Sequence, residues 1–168
     1  MDVPNVRTDM QGTDMTSTHL THAAMLQLIA EGMRSPHAAQ LNAEQLQRVA
    51  GILDRIAVDQ LRSNVSVKLT QLGLDISQDE AFRNVARITE HAEDRGQFVR
   101  IDMEESARVD DTLEIYRRLR AEGHDNVGTV LQAYLYRTRK DLEALLPLEP
   151  NLRIVKCAYL EPATTAYQ

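Results

Sequence analysis

The chain changes texture near residue 62, and the spacing of its hydrophobic positions differs on either side. Residues 1–17 are polar, rich in Thr and Asp, and show no apolar period, which predicts a disordered leader. Over 19–33, Leu20, Ala23, Ala24, Leu28 and Ile29 recur at helical spacing, up to a break at Ser35-Pro36. A second helix is predicted over 43–61, with Asn42 as N-cap and Leu46, Val49, Ile52, Leu53 and Ile56 as its buried stripe. Residues 18–62 thus read as N-terminal helices. After them come four short β-like runs, at 65–69, 98–103, 128–135 and 152–158. Three helical stretches separate these runs. The first, 78–95, buries Phe82, Val85, Ala86, Ile88 and Thr89 and stops at Gly96. The second, 109–122, buries Val109, Leu113, Tyr116 and Leu119 and stops at Gly123, and the third, 138–146, ends at Pro147. Strand, helix and strand recurring about every 30 residues is the cadence of βαβ units with a parallel sheet and right-handed crossovers. The fold class is α/β.

A parallel strand covered by helices on both faces should be apolar at both parities. These strands are apolar at only one. Val65, Val67 and Leu69 alternate with Ser66, Lys68 and Thr70; Val99, Ile101 and Met103 alternate with Arg100, Asp102 and Glu104. Leu131, Ala133 and Leu135 alternate with Gln132, Tyr134 and Tyr136 in the third run. In the fourth, Leu152 and Ile154 flank Arg153, while Val155 and Cys157 share the arginine's parity. Side chains alternate between faces, so one face packs on helices and the other is polar. Four strands sharing a polar face predict a barrel lumen or ligand cavity. Lys68, Asp102, Glu104, Gln132, Tyr134, Arg153 and Tyr159 would line its mouth at one height, at the carboxyl ends where parallel α/β folds bind ligands.

Composition narrows the function classes. The chain has 168 residues, too few for a complete (β/α)8 barrel of about 250. Its net charge is −6 with acidic residues spread throughout, which leaves no basic face for nucleic acid. A single cysteine, Cys157, excludes a disulfide framework or thiolate zinc site within one chain. No apolar run is long enough to span a membrane, and no apolar signal core opens the chain, so a soluble intracellular domain is expected.

The strand sequences resemble those of the flavin-dependent proline dehydrogenases, the short monofunctional bacterial form above all. The resemblance lies in four runs: Asn64-Val-Ser-Val-Lys-Leu-Thr-Gln-Leu-Gly73, Phe98-Val-Arg-Ile-Asp-Met-Glu104, Val127-Gly-Thr-Val-Leu-Gln-Ala-Tyr-Leu-Tyr-Arg137 and Arg153-Ile-Val-Lys-Cys-Ala-Tyr159. It covers residues 63–162 and does not extend convincingly into 1–61. It implies that 63–168 form part of a distorted TIM-like barrel of about four parallel strands, with FAD at its carboxyl mouth. The implied reaction oxidises L-proline to Δ1-pyrroline-5-carboxylate and passes electrons to a membrane quinone, in a cytoplasmic protein that can sit peripherally on the inner membrane. Residue by residue, the resemblance makes Lys68 a holder of the substrate carboxylate and Asp102 the acid that organises the site. Met103 lies along the flavin, Glu104 supports the charge network, Gln132 hydrogen-bonds the flavin ring, and Tyr134 packs beside it. Arg153 is the cation near flavin N5, Lys156, Cys157 and Ala158 touch FAD through their backbone, and Tyr159 closes on the substrate ring.

Cys157 stands where the family has glycine, a substitution that can crowd a close backbone approach. The family's later strands and final helix, with two arginines for the substrate carboxylate, have no counterpart before Gln168. An open sheet also has two unpaired edges, through which copies could associate. Two other readings compete: a non-catalytic half-barrel serving as an interaction module, and an unrelated barrel enzyme using the same lysine and carboxylates. Other signals read as structural. His19 and His22 lack a third metal ligand, and His37, His91 and His124 read as isolated and solvent-facing. Ser66 and Ser106 sit in no nucleophile elbow. Arg117, Arg118 and Arg120 read as a solvated helix face, with Glu114 and Glu122 near enough to pair.

Overall fold

The computed structural model describes residues 36–156 and 159–168. The leader, the 19–33 helix, the His19/His22 pair, Cys157 and Ala158 lie outside the described residues, as does the side chain of His37. Helix α1 (Pro36–Val58) leads into β1 (Val65–Val67), α2 (Gln78–Glu93), β2 (Val99–Ile101), α3 (Val109–Ala121), β3 (Val127–Gln132), α4 (Thr138–Leu145) and β4 (Leu152–Val155). The strands pair in parallel in chain order, β1-β2-β3-β4. Sequential parallel strands alternating with helices form one arc of a (β/α)8 barrel wall.

The arc is held by burial on one face. Val65, Val67, Leu69, Val99, Ile101, Met103, Val127 and Leu131 are buried against the apolar stripes of the helices. Those stripes are as the spacing predicts: Phe82, Val85, Ala86, Ile88 and Thr89 on α2, and Val109, Leu113, Tyr116 and Leu119 on α3, are all buried. Local signals set the helix limits. Ser77 accepts a hydrogen bond from the Glu80 amide at 3.0 Å, capping α2 above its acidic first turn. Past the helix ends, Gly96 and Gly123 take positive φ of 63° and 93°.

Several expectations are corrected. Helix α1 begins at Pro36, not after Asn42, because proline suits a first helical turn and nothing from Ala38 to Leu41 resists the helix. On α1, Leu53 and Ile56 reach the core, but Ile52 is 45% exposed. The third strand ends at Gln132 rather than continuing to 135, since Ala133 and Tyr134 enter a turn and Thr138 Oγ1 donates to the Gln132 carbonyl at 2.5 Å. His124 is buried and His91 bonds Asp54 at 2.8 Å, so neither faces solvent freely. In the arginine cluster Arg117 pairs with Glu114, as expected. Arg118 lies over the Phe82 ring at 3.9 Å and pairs with Asp79, while Arg120 pairs with Asp125 rather than Glu122 and donates to the His124 and Leu148 carbonyls.

Two predictions arise from this framework. Gln60, just past α1, has φ of 52°, a left-handed conformation that costs a side-chain-bearing residue about 1 kcal/mol. Gln60→Gly is therefore expected to stabilise the fold by about 0.5–1 kcal/mol, read as a higher urea midpoint. The second concerns acid. The hydrogen bond from Arg137 holds the Asp110 carboxyl below its ordinary range, and the hydrogen bond with His91 does the same for Asp54. Such groups stabilise the fold above their unfolded pKa and lose that contribution as pH falls through the depressed folded value. Stability should thus fall below about pH 4. Asp110→Asn should flatten that acid limb in a pH series of unfolding midpoints, and an unaltered limb would remove Arg137–Asp110 as its cause.

Candidate active site

The polar parity of the strands forms the open face of the arc. Register pairs Ser66 with Arg100 and Arg100 with Gly128, and higher up pairs Val130 with Arg153. Continuing the first two ladders by two residues places Lys68, Asp102, Val130 and Arg153 in one transverse row. The next positions of the same parity, Thr70, Glu104, Gln132 and Val155, form the row above. The seven predicted residues therefore stand at successive levels rather than at one height.

In the lower row Arg153 donates from Nη2 to Asp102 Oδ1 and forms an ion pair. Arg153 and Asp102 belong to strands separated by β3, roughly 10 Å apart. The guanidinium passes over Val130, whose short side chain leaves the route open. Asp102 retains 26% and Arg153 47% of side-chain exposure, so the pair is accessible from the mouth. A concavity of about 320 Å³ opens there. Lys68, Asp102, Arg153 and Tyr159, four of the seven residues expected at the mouth, line it, and Met103, Val130 and Val155 complete its wall.

The upper row braces the lower. Glu104 is buried and accepts from the Thr70 amide at 3.0 Å and from Thr70 Oγ1 at 2.6 Å, tying β2 to the turn after β1. Gln132 is only 1% exposed; its Nε2 donates to the Glu104 carbonyl at 3.2 Å, and its Oε1 is buried with no hydrogen-bond partner. A buried acceptor left unpaired is costly, so this atom marks a place for a donor. Tyr134, in the turn after β3, donates its hydroxyl to the Tyr159 carbonyl at 2.9 Å, and its amide reaches the Lys156 carbonyl at 3.3 Å. Tyr134 and the backbone of Lys156 thus stand beside the site rather than in the row. Glu161, which the sequence did not single out, accepts from the Ser106 amide at 2.6 Å and hydroxyl at 2.5 Å, anchoring the segment that carries Tyr159.

A larger concavity, about 690 Å³, opens at the opposite end, where Asn64 and Phe98 precede their strands. Ligands of parallel α/β sheets bind at the carboxyl ends, and only the smaller cavity gathers Lys68, Asp102 and Arg153. The smaller cavity is the candidate site.

Comparison with known proteins places the fold and the family. Among solved structures the fold is similar to proline utilization A (PutA) of Bdellovibrio bacteriovorus, with a TM-score of 0.63 at 22% identity over 71% of this chain and 16% of that one. PutA of Bradyrhizobium japonicum is also similar, with a TM-score of 0.59 at 20% identity over 72% of this chain and 15% of that one. In sequence, the chain is 39% identical to proline dehydrogenase 2 of Bacillus subtilis over 98% of its own length and 50% of the relative's. It is 40% identical to proline dehydrogenase of Deinococcus radiodurans over 86% of its length and 47% of the relative's. The chain therefore spans about half the length of these curated relatives. The family profile described as proline dehydrogenase matches residues 7–167, which carries the likeness well into the segment before residue 63 that the strand motifs had left unmatched. The likeness in fold and a family match over nearly all of the sequence converge: the chain belongs to the proline dehydrogenase family.

Proposed function

We propose that this chain carries the strand-borne half of a flavin-dependent site that oxidises L-proline to Δ1-pyrroline-5-carboxylate. The observation that carries the reading is the juxtaposition of the Lys68–Asp102–Arg153 row with the buried, unpartnered Gln132 Oε1. These residues fit the ring end of FAD. Gln132 would accept a hydrogen bond from the ring imide, Met103 would offer an apolar contact, and Arg153 would supply a cation. When bound, FAD accepts the hydride from the carbon beside the proline nitrogen. Lys68 would hold the proline carboxylate as a point charge, and Asp102 would orient the ammonium end while fixing Arg153. Arg153 would stabilise negative charge that develops as the substrate is oxidised. Tyr159 would exclude water from the substrate ring, and the backbone of Lys156, Cys157 and Ala158 would complete the cofactor contact.

A quinone is the proposed electron acceptor, reached by peripheral contact with a membrane; no helix among the described residues is long and apolar enough to cross one. A second reading, a flavin-free half-barrel that pairs with another copy along β4, is favoured by the exposure of Ile154 and Leu160 beside that edge strand. One experiment separates the two. The purified chain is incubated with FAD, desalted, examined by visible absorption, and then mixed anaerobically with L-proline. Retained colour that bleaches with proline supports the dehydrogenase site. A colourless protein eluting as a dimer supports the second reading.

A further inference from the structure

One charged residue on the open face is not used by the proposed chemistry. Arg100 lies one level below Asp102 on the same face of β2 and is only 9% exposed. Buried cations are ordinarily neutralised by a carboxylate. Arg100 forms no ion pair among the described residues. Its Nη1 donates to the Thr129 carbonyl at 3.0 Å and the Asn151 carbonyl at 2.7 Å, and its Nη2 donates to Asn151 Oδ1 at 2.5 Å. The guanidinium sits 4.9 Å from the Phe98 ring centroid. Burial pushes its pKa down and the charge of Arg153 pushes it the same way, while Tyr116 and the Asp102 carboxylate oppose them.

The backbone makes room for this arrangement. A Cβ on Gly128, the register partner of Arg100, would stand 2.4 Å from Arg100 Nη1 and 2.5 Å from the Asn151 carbonyl oxygen. Asn151 immediately precedes β4 and lies two residues before Arg153, on the same side of the chain. Arg100 to Asn151 and Asp102 to Arg153 are therefore parallel contacts between the same two segments, one level apart. The lower one fixes where β4 enters the sheet, and its charge, which has no carboxylate in direct contact among the described residues, repels a second cation from below.

We propose that Arg100 is a positioning residue for Arg153: through Asn151 it sets the height of β4, and by like-charge repulsion it turns the Arg153 guanidinium up and toward Asp102. The consequence for the cofactor rests on the flavin reading above, whereas the geometry of the Arg153–Asp102 pair does not. The test therefore has two arms on the 168-residue chain. Nitrogen-15 NMR of the Arg153 guanidinium reports whether it is held or freely rotating, and FAD titration reports affinity. Arg100→Met should release the Arg153 signal to that of a free guanidinium and weaken FAD binding about tenfold, the scale of one lost charge-assisted hydrogen bond. Arg100→Lys keeps the charge without the fork, so it should restore part of the Arg153 signal and part of the affinity. If Arg100→Met fails to fold, Asn151→Ala, which removes one acceptor and spares both arginines, should still loosen the Arg153 signal. A folded Arg100→Met or Asn151→Ala protein with the wild-type Arg153 signal would overturn the proposal and leave Arg100 a purely structural residue. If the wild-type chain takes up no FAD, the flavin reading fails, and the NMR arm alone decides the positioning role.

Discussion

Arg153→Met should lower proline-dependent flavin reduction by about a hundred- to a thousandfold, roughly 3–4 kcal/mol of transition-state stabilisation. The loss should fall on the rate of reduction, with proline affinity changing far less, because Lys68 remains to hold the carboxylate. The reason lies in the geometry of the row. Arg153 crosses Val130 to reach Asp102, which fixes its planar head, yet it keeps nearly half its exposure and so remains available to the mouth. A fixed cation stabilises developing charge without reorganising during the reaction, whereas the methionine thioether cannot. Arg153→Lys should be intermediate, since it keeps the charge but loses the fork. The measurement is stopped-flow bleaching in a chimera in which the remaining length of a full-length relative follows residue 168. A reduction rate unchanged in Arg153→Met would sink the assigned role.

Gly128→Ala should cost about 2–3 kcal/mol of stability. The added carbon would meet Arg100 Nη1 at 2.4 Å, the Asn151 carbonyl oxygen at 2.5 Å and Phe98 Cζ at 2.8 Å. One of those atoms is backbone, and another belongs to a guanidinium held by three hydrogen bonds, so none can move cheaply. Gly51→Ala is the control. It lies inside α1 with nothing within 4 Å of the new carbon, and should gain about 0.5–1 kcal/mol from helix propensity. Urea unfolding of the two variants would show opposite shifts of midpoint at similar slope. A neutral Gly128→Ala would mean that the β3–β4 seam is looser than its contacts imply.

The contrast between these glycines shows how much could be read from sequence. Alternation along 65–69 and 98–103 revealed the polar face, because Lys68, Asp102 and Glu104 are unmistakable among valines and isoleucines. Alternation also placed Arg153 opposite the helices, and the four strand motifs pointed to the family. What the pattern lacked was distance. Gly128 and Val130 carry no polar signal, yet one admits Arg100 and the other lets Arg153 pass; their importance lies in what they omit. The end of β3 was hidden because Ala133, Tyr134 and Leu135 continue its alternation, while the turn is fixed by partners farther along the chain, among them the Tyr136 amide bonded to the Thr165 carbonyl. His91 looked isolated because Asp54 is 37 residues away in sequence. Ile52 matched the helical period, but the contact surface of α1 is narrower than its apolar stripe.

The sequential strand order also sets a timetable for assembly during synthesis. Val65 meets Val99, Val99 meets Val127 and Thr129 meets Leu152, so each new strand docks on the one made just before it. The two arginine contacts to the fourth strand are different, because each joins residues 51 apart. At about 5–20 residues per second, Asp102 and Arg100 leave the ribosome several seconds before their partners. In the interval Arg100 stands on the growing sheet without its Asn151 acceptors, a nascent intermediate with an unsatisfied cation at its open edge. The charged row thus forms only when the fourth strand arrives, and a pause in translation before residue 151 would prolong the stage at which that edge is most open to mispairing.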